Sequence, residues 1–251
     1  MAIDSDFEND ELRIYRGLDF KLCKYITIHQ ATLGEICDYG EIQYFSIVNH
    51  IIATPQSMKA QLWKSDIDFT TITPYQLFLL SYKSFSPENT KLIFGNFDFT
   101  QLILKKDEEE NIYLGYENNP DVVINESIYD RMVNYLCKSH MIERDLKEPM
   151  NETTKMILIE DALEALNSKD DKPYHSILKN LVSAMINSPG FKYNHEQVWA
   201  MKINAFMDSV KRISKIKNAD LLLQSGYSGF GINLKKDVDK KQLDWLGELE
   251  N

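Results

Sequence analysis

The chain has little cysteine, and its three thiols, Cys23, Cys37 and Cys137, are too scattered for a disulfide framework or a zinc-ligand pair. Folding in a reducing compartment is the expectation, with stability drawn from a buried core. Long apolar runs are also missing. Stretches such as Leu77 to Leu80 and Leu221 to Leu223 fall far short of the roughly 20 residues that a membrane-spanning helix needs. The opening residues, MAIDSDFENDEL, are acidic where a signal peptide needs a basic start and an apolar stretch, so no targeting segment is expected. Positive charge is in deficit, with 28 Lys and Arg against 38 Asp and Glu and a net charge of -10. Such a chain gains nothing overall from displacing counterions along a nucleic-acid backbone, which argues against sequence-independent binding. Repeats of solenoid length and low-complexity segments are absent as well.

What is present describes a soluble globular protein. The 251 residues are 43% hydrophobic and 26% charged, ordinary values for a chain that buries one large core or two small ones. Aromatics reach 11%, with 13 Tyr and 12 Phe. Tyrosine serves cores with a wet edge and interfaces equally well, because one end of the ring can stay hydrated.

The pattern along the chain predicts an α+β fold that is predominantly α-helical, with a small antiparallel sheet in the N-terminal half and a bundle-like helical C-terminal half. Residues 1–13 read as an acidic tail. Leu18, Phe20 and Leu22 alternate with polar neighbours, as do Ile26 and Ile28, which predicts a short hairpin. Thr32 with Glu35 and Thr73 with Gln76 are capping-box pairs, and Thr54-Pro55 is a further helix start. Gly40 is a candidate interruption of the helix after Thr32. Leu92 to Phe94, Phe97 to Leu104, Ile112 to Tyr116 and Val122 to Ile124 read as β-like runs, with a solvated charged turn from Lys105 to Glu110.

Asn125 caps a helix expected to reach Lys147. The break around Pro149 divides a mixed region, 14–148, from a helical region, 149–251, with helices over roughly 152–168 and 174–187. Asn194 with Gln197 then opens a helix on which Trp199, Ile203, Phe206, Val210 and Ile213 recur at spacings of four and three, one apolar stripe. Gly226 is the expected left-handed stop of that helix, and Asp239 with Gln242 caps a last one.

Tests for chemistry find no catalytic set. His195-Glu196 begins like a zinc-protease helix, but the position of the second histidine is Trp199. GYSGFG holds Gly226, Gly229 and Gly231, yet it is neither a nucleophile elbow around Ser228 nor a dinucleotide or phosphate loop. Acid pairs such as Glu160-Asp161 fall on surface turns or polar helix faces. No catalytic, cofactor-binding or metal-binding residue is assigned, and a non-enzymatic protein is expected. Late basic residues, among them Lys211, Arg212, Lys235 and Lys236, form a candidate patch for nucleic acid. Interleaved Asp208, Asp220, Asp237 and Asp239 fit solvated helix ends better.

Five ordered motifs carry a resemblance: ITIHQATLGEI (26–36), SPGFKYN (188–194), FMDSVKRI (206–213), GYSGFGINLKK (226–236) and LDW (243–245). Together they resemble conserved proteins encoded among the morphogenesis genes of tailed bacteriophages of Gram-positive bacteria. Some of those are labelled tail assembly chaperones or virion structural proteins. Where that family has an Asn-Trp pairing near its end, this chain has Asp244-Trp245. The resemblance implies contacts with other phage structural or assembly proteins in the host cytoplasm, with retention in the virion and homo-oligomerisation left open. It implies neither membrane nor cofactor. Hot spots at such contacts favour Trp, Tyr and Arg, so Trp199, Arg212, Tyr227 and Trp245 are the candidate contact residues, with a place in the core as the alternative for Trp199 and Trp245.

Overall fold

The computed structural model describes residues 11–168, 174–228, 233, 234, 236 and 238–249. It is a helix-dominated α+β protein with two small antiparallel sheets. Helix α1 (Glu11–Tyr15) takes up the end of the expected acidic tail, and residues 1–10 lie outside the described ones. Strands β1 (Phe20–Lys21) and β2 (Thr27–Ile28) pair antiparallel, Phe20 opposite Ile28, and bury both residues. Helix α2 (Leu33–Tyr39) starts at the Thr32 and Glu35 capping box, both reciprocal hydrogen bonds being present. Gly40, at φ 108, ends α2, and α3 (Glu41–Ile51) starts directly after it. That φ is readily reached only without a Cβ.

Three expected elements form differently. Of the β-like run Phe97 to Leu104 only Ile103 and Leu104 are strand, because Phe99–Gln101 is a 3-10 turn opened by the Asp98 carboxylate, which accepts from the Thr100 amide. Thr54-Pro55 opens a turn closed by mutual Thr54 and Ser57 hydrogen bonds, and α4 (Lys59–Lys64) begins only after it. Helix α5 (Pro74–Ser81) has its full capping box and runs into a 3-10 turn. Leu92 to Phe94, expected as strand, is the end of α6 (Pro87–Phe94). Pro87 presets its first turn and Gly95 ends it at φ 60, so the apolar run is the buried face of a short helix. Strands β3 (Ile103–Lys106), β4 (Ile112–Gly115) and β5 (Val123–Ile124) form the second sheet in that order. Its charged hairpin turn is tied by Asp107, whose carboxylate accepts from the Glu109 and Asn111 amides.

Helix α7 (Glu126–His140), capped by Asn125, ends earlier than the expected Lys147 because Met141 adopts a left-handed conformation. Its inner residues Met132, Val133 and Leu136 are buried. Helix α8 (Glu152–Asn167) packs on α4, around Leu62, Phe69 and Ile159. The Lys155 ammonium binds the Asp68 carboxylate at 2.5 Å across that contact. Helices α9 (Ile177–Ile186) and α10 (Ile203–Tyr227), and the short α11 (Lys240–Leu243), complete the order. Leu178, Val182, Ile203 and Phe206 share the larger buried cluster with Phe20, Ile36, Phe99 and Leu136, so that cluster takes side chains from both sides of the break near Pro149.

Two features of the C-terminal part correct the sequence reading. Asn194 and Gln197 do make their reciprocal cap, but only a 3-10 turn, Gln197–Ala200, follows. Met201 and Lys202 are extended because their backbone pairs with that of residues 31–33: the Leu33 amide donates to Met201 O and the Ile203 amide to Ala31 O, each at 3.0 Å. The stripe therefore splits, Ile203 to Ile213 running along α10 and Trp199 standing before it. Gly226 is not a left-handed stop but lies within the last turn of α10, where an added Cβ would come within 2.3 Å of the Leu234 side chain. Gly229 and Gly231 lie outside the described residues.

Candidate interaction surface

The 3-10 turn that carries Trp199 sits against α2. Its position is fixed by the backbone pairing just described and by Lys202, whose ammonium donates to Gln30 O at 2.7 Å. Facing it is α9, capped by Ser176, whose hydroxyl accepts from the Lys179 amide at 2.9 Å. Leu178, Val182 and Met185, spaced four and three, are the buried face of α9. A carboxylate from the far side of the sequence completes the placement: Glu41 accepts from the amides of Ile177 and Leu178 at 3.0 and 2.9 Å. Burial opposes ionisation of Glu41, but these free amides at the start of α9 hold its carboxyl below the ordinary value.

Between α2, α9 and the Trp199 turn lies a groove of about 510 Å³. Leu33, Leu178, Val182, Ile186 and Trp199 supply its apolar walls, with Lys179 among its polar members. That volume lies within the usual range of ligand and side-chain pockets, roughly 300 to 1,000 Å³. His195 also lines it, with its ring edge-on to Trp199 at 6.0 Å. A second cleft on the other flank of α9, about 400 Å³, has His140 among its lining residues. The His140 Nδ1–H donates to Leu136 O at 2.8 Å and Nε2 accepts from the Tyr44 hydroxyl at 2.7 Å. Burial pushes its pKa down to about 4, so the ring is neutral and structural.

The other named residues cluster on and after α10. Arg212 is half-buried, and its guanidinium Nη1 donates to Trp245 O at 2.6 Å and Gly247 O at 2.8 Å. Lys215 donates to Glu248 O at 2.6 Å. Arg212 and Trp245 are thus brought together through the backbone, not through side-chain stacking. Trp245 is 47% exposed, and Tyr227, at the end of α10, is 83% exposed. Of the basic patch, Lys211 is half-buried and Lys236 exposed, and Lys235 lies outside the described residues. Trp199 lines the groove, on a different part of the surface from the Arg212–Trp245 contact.

Sequence reasoning missed the groove as a unit, because its walls come from residues 33 to 199 and no local spacing marks them. It also missed the Asp244 turn, where a local signal was present: an Asp three residues before a Gly. Among the described residues no three His, Cys, Asp or Glu side chains gather in a way that could hold a metal ion, and no helix is long and apolar enough to cross a membrane.

Residues 162–250 match the YomV second domain family. The family is phage-associated, and the similarity supports a phage protein. The match begins inside α8 and takes in α9, the Trp199 turn, α10 and the segment that Arg212 holds. No curated protein and no solved structure matches the chain.

Proposed function

We propose that this is a non-enzymatic phage morphogenesis protein that works by protein–protein contact in tail assembly, as an assembly chaperone or a minor virion component. The observation that carries the proposal is the family match over 162–250, because the matched segment holds Trp199, Arg212, Tyr227 and Trp245 together. The apolar groove beside Trp199 and the exposed rings of Tyr227 and Trp245 support a contact surface, since aromatic anchors supply large area at low entropic cost. Its place of action is the host cytoplasm during assembly, with retention in the particle if it is a virion component.

Affinity purification from infected cells followed by mass spectrometry tests this reading. Recovery of tail or capsid proteins is the expected result, and recovery of nucleic acid alone contradicts it. A chaperone is absent from purified particles, whereas a virion component is present at fixed copy number. The competing reading, nucleic-acid binding through Lys211, Arg212, Lys235 and Lys236, requires salt-dependent binding that collapses when those residues are neutralised. Arg212 already donates to two carbonyls of its own chain, which favours the protein-contact reading.

A further inference from the structure

Two helices of nearly equal length are held very differently. Helix α7 has 15 residues and buries Tyr129, Met132, Val133, Tyr135 and Leu136 in the larger cluster. Helix α8 has 16, and Ile159 is its one buried apolar side chain. Ile159 belongs to a separate small cluster with Ala53, Leu62, Phe69 and Leu77, against which Met156 and Leu163 are only half-buried. The other residue that α8 buries is charged. Lys155 is 9% exposed and binds the Asp68 carboxylate, which Thr70 also holds through its amide and hydroxyl. Such a pair fixes where α8 sits yet adds little to its hold, because opening returns both charges to water. The chain leading into α8 is loosely tied as well. Arg144 pins it to the body, donating to Ile52 O, Ala53 O and the Tyr129 hydroxyl. Beyond that point residues 145–150 make no backbone–backbone hydrogen bond among the described residues, and Leu146 and Met150 are exposed. Few buried apolar contacts and an untied approach mark a segment that opens on its own while the rest stays folded.

We propose that α8 is a releasable strap: it opens as a unit while the larger core stays folded, and the Lys155–Asp68 pair sets how often. Opening uncovers Leu62, Phe69 and Leu77, which are at most 7% exposed while the strap is closed. The closed helix is thus a built-in cover over an apolar surface distinct from the α2–α9 groove, with which it shares no residue. The inference concerns the protein alone and stands or falls independently of its role in phage assembly.

Hydrogen exchange of the purified full chain, read by mass spectrometry on peptides from α7 and α8, tests it. In the natural chain the α8 amides are expected to exchange at least about tenfold faster than those of α7 once intrinsic rates are divided out. Asp68→Asn leaves a nearly buried ammonium without its nearest anion, and it should speed α8 at least about tenfold more with α7 unchanged. Lys155→Met removes the buried charge and keeps the aliphatic packing, so α8 should exchange more slowly there than in Asp68→Asn. Exchange of α8 and α7 together in one step overturns the proposal. So does an Asp68→Asn chain that speeds both helices alike or leaves α8 unchanged, or a Lys155→Met chain that releases α8 more than Asp68→Asn does.

Discussion

Around Phe99 the chain gathers aromatic rings inward, and around Trp245 it holds one outward. Phe99 is fully buried, with the rings of Phe78, Phe85, Phe94 and Phe97 at centroid distances of 6.3, 5.9, 5.0 and 4.9 Å, mostly edge to face. Each ring there removes apolar area from water and gains the quadrupole contacts of its neighbours. Trp245 has the larger ring, but Arg212 contacts its backbone, and the residue is left 47% exposed. Apolar packing supplies stability in the first region. In the second, charge-assisted bonds to carbonyls set a shape and add little to the fold, because half-exposed groups exchange one set of partners for water. The distinction separates what holds the fold from what the fold displays.

Phe99→Ala sharpens the contrast most. Emptying the centre of the aromatic cluster is expected to cost about 3 to 5 kcal/mol, read from denaturant unfolding. The buried Tyr44–His140 bond comes next. With the folded pKa at about 4 against an ordinary 6.5, the folded state favours the neutral ring. Its contribution is full above pH 6.5 and is lost as pH falls from 6.5 toward 4, by about 3 kcal/mol at most. His50, lowered by burial, adds to the same slope. Unfolding measured between pH 6.5 and 4.5 should show this loss, and the pair of changes Tyr44→Phe with His140→Phe should reduce it to the part that His50 carries. Carboxylates lowered in the fold, such as Asp68 at about 2, act below that window. Arg212→Ala is the smallest of the three, about 1 kcal/mol. Hydrogen exchange should show the Gly247 amide losing protection while amides of α7 keep theirs, and equal loss in both would break the comparison.

The N-terminal half was largely legible in the sequence because its signals are local. Thr32 with Glu35, Thr73 with Gln76 and Asn125 each mark a helix start within one turn, and all three caps are present. Phe20 and Ile28 alternate as hairpin residues should, and they pair. Leu92 to Phe94 misled because three apolar residues in a row fit a strand and a short helix equally, and the deciding residue is Pro87, five positions upstream. The Trp199 region misled for a non-local reason. Its cap is genuine, yet the helix stops after one turn because residues 31–33 claim the backbone of residues 201–203. No pattern within the segment encodes a partner so far away in the chain. The groove has the same origin: α9 is placed by Glu41, and the spacing of its own residues tells only which face is buried. Of the candidate contact residues, the sequence supplied their identity, whereas the fold divides them between a groove wall, a clamp and two exposed rings.

The central claim is that the segment carrying Trp245 is displayed by the fold and does not support it. Its most direct test is the unfolding free energy of the chain ended after Val238, which removes α11 and the pinned turn but leaves every residue of the aromatic cluster and of α10. Loss of at most about 2 kcal/mol, with a single cooperative transition, is the predicted result. A loss as large as that of Phe99→Ala would contradict it, because the segment would then be part of what holds the core together.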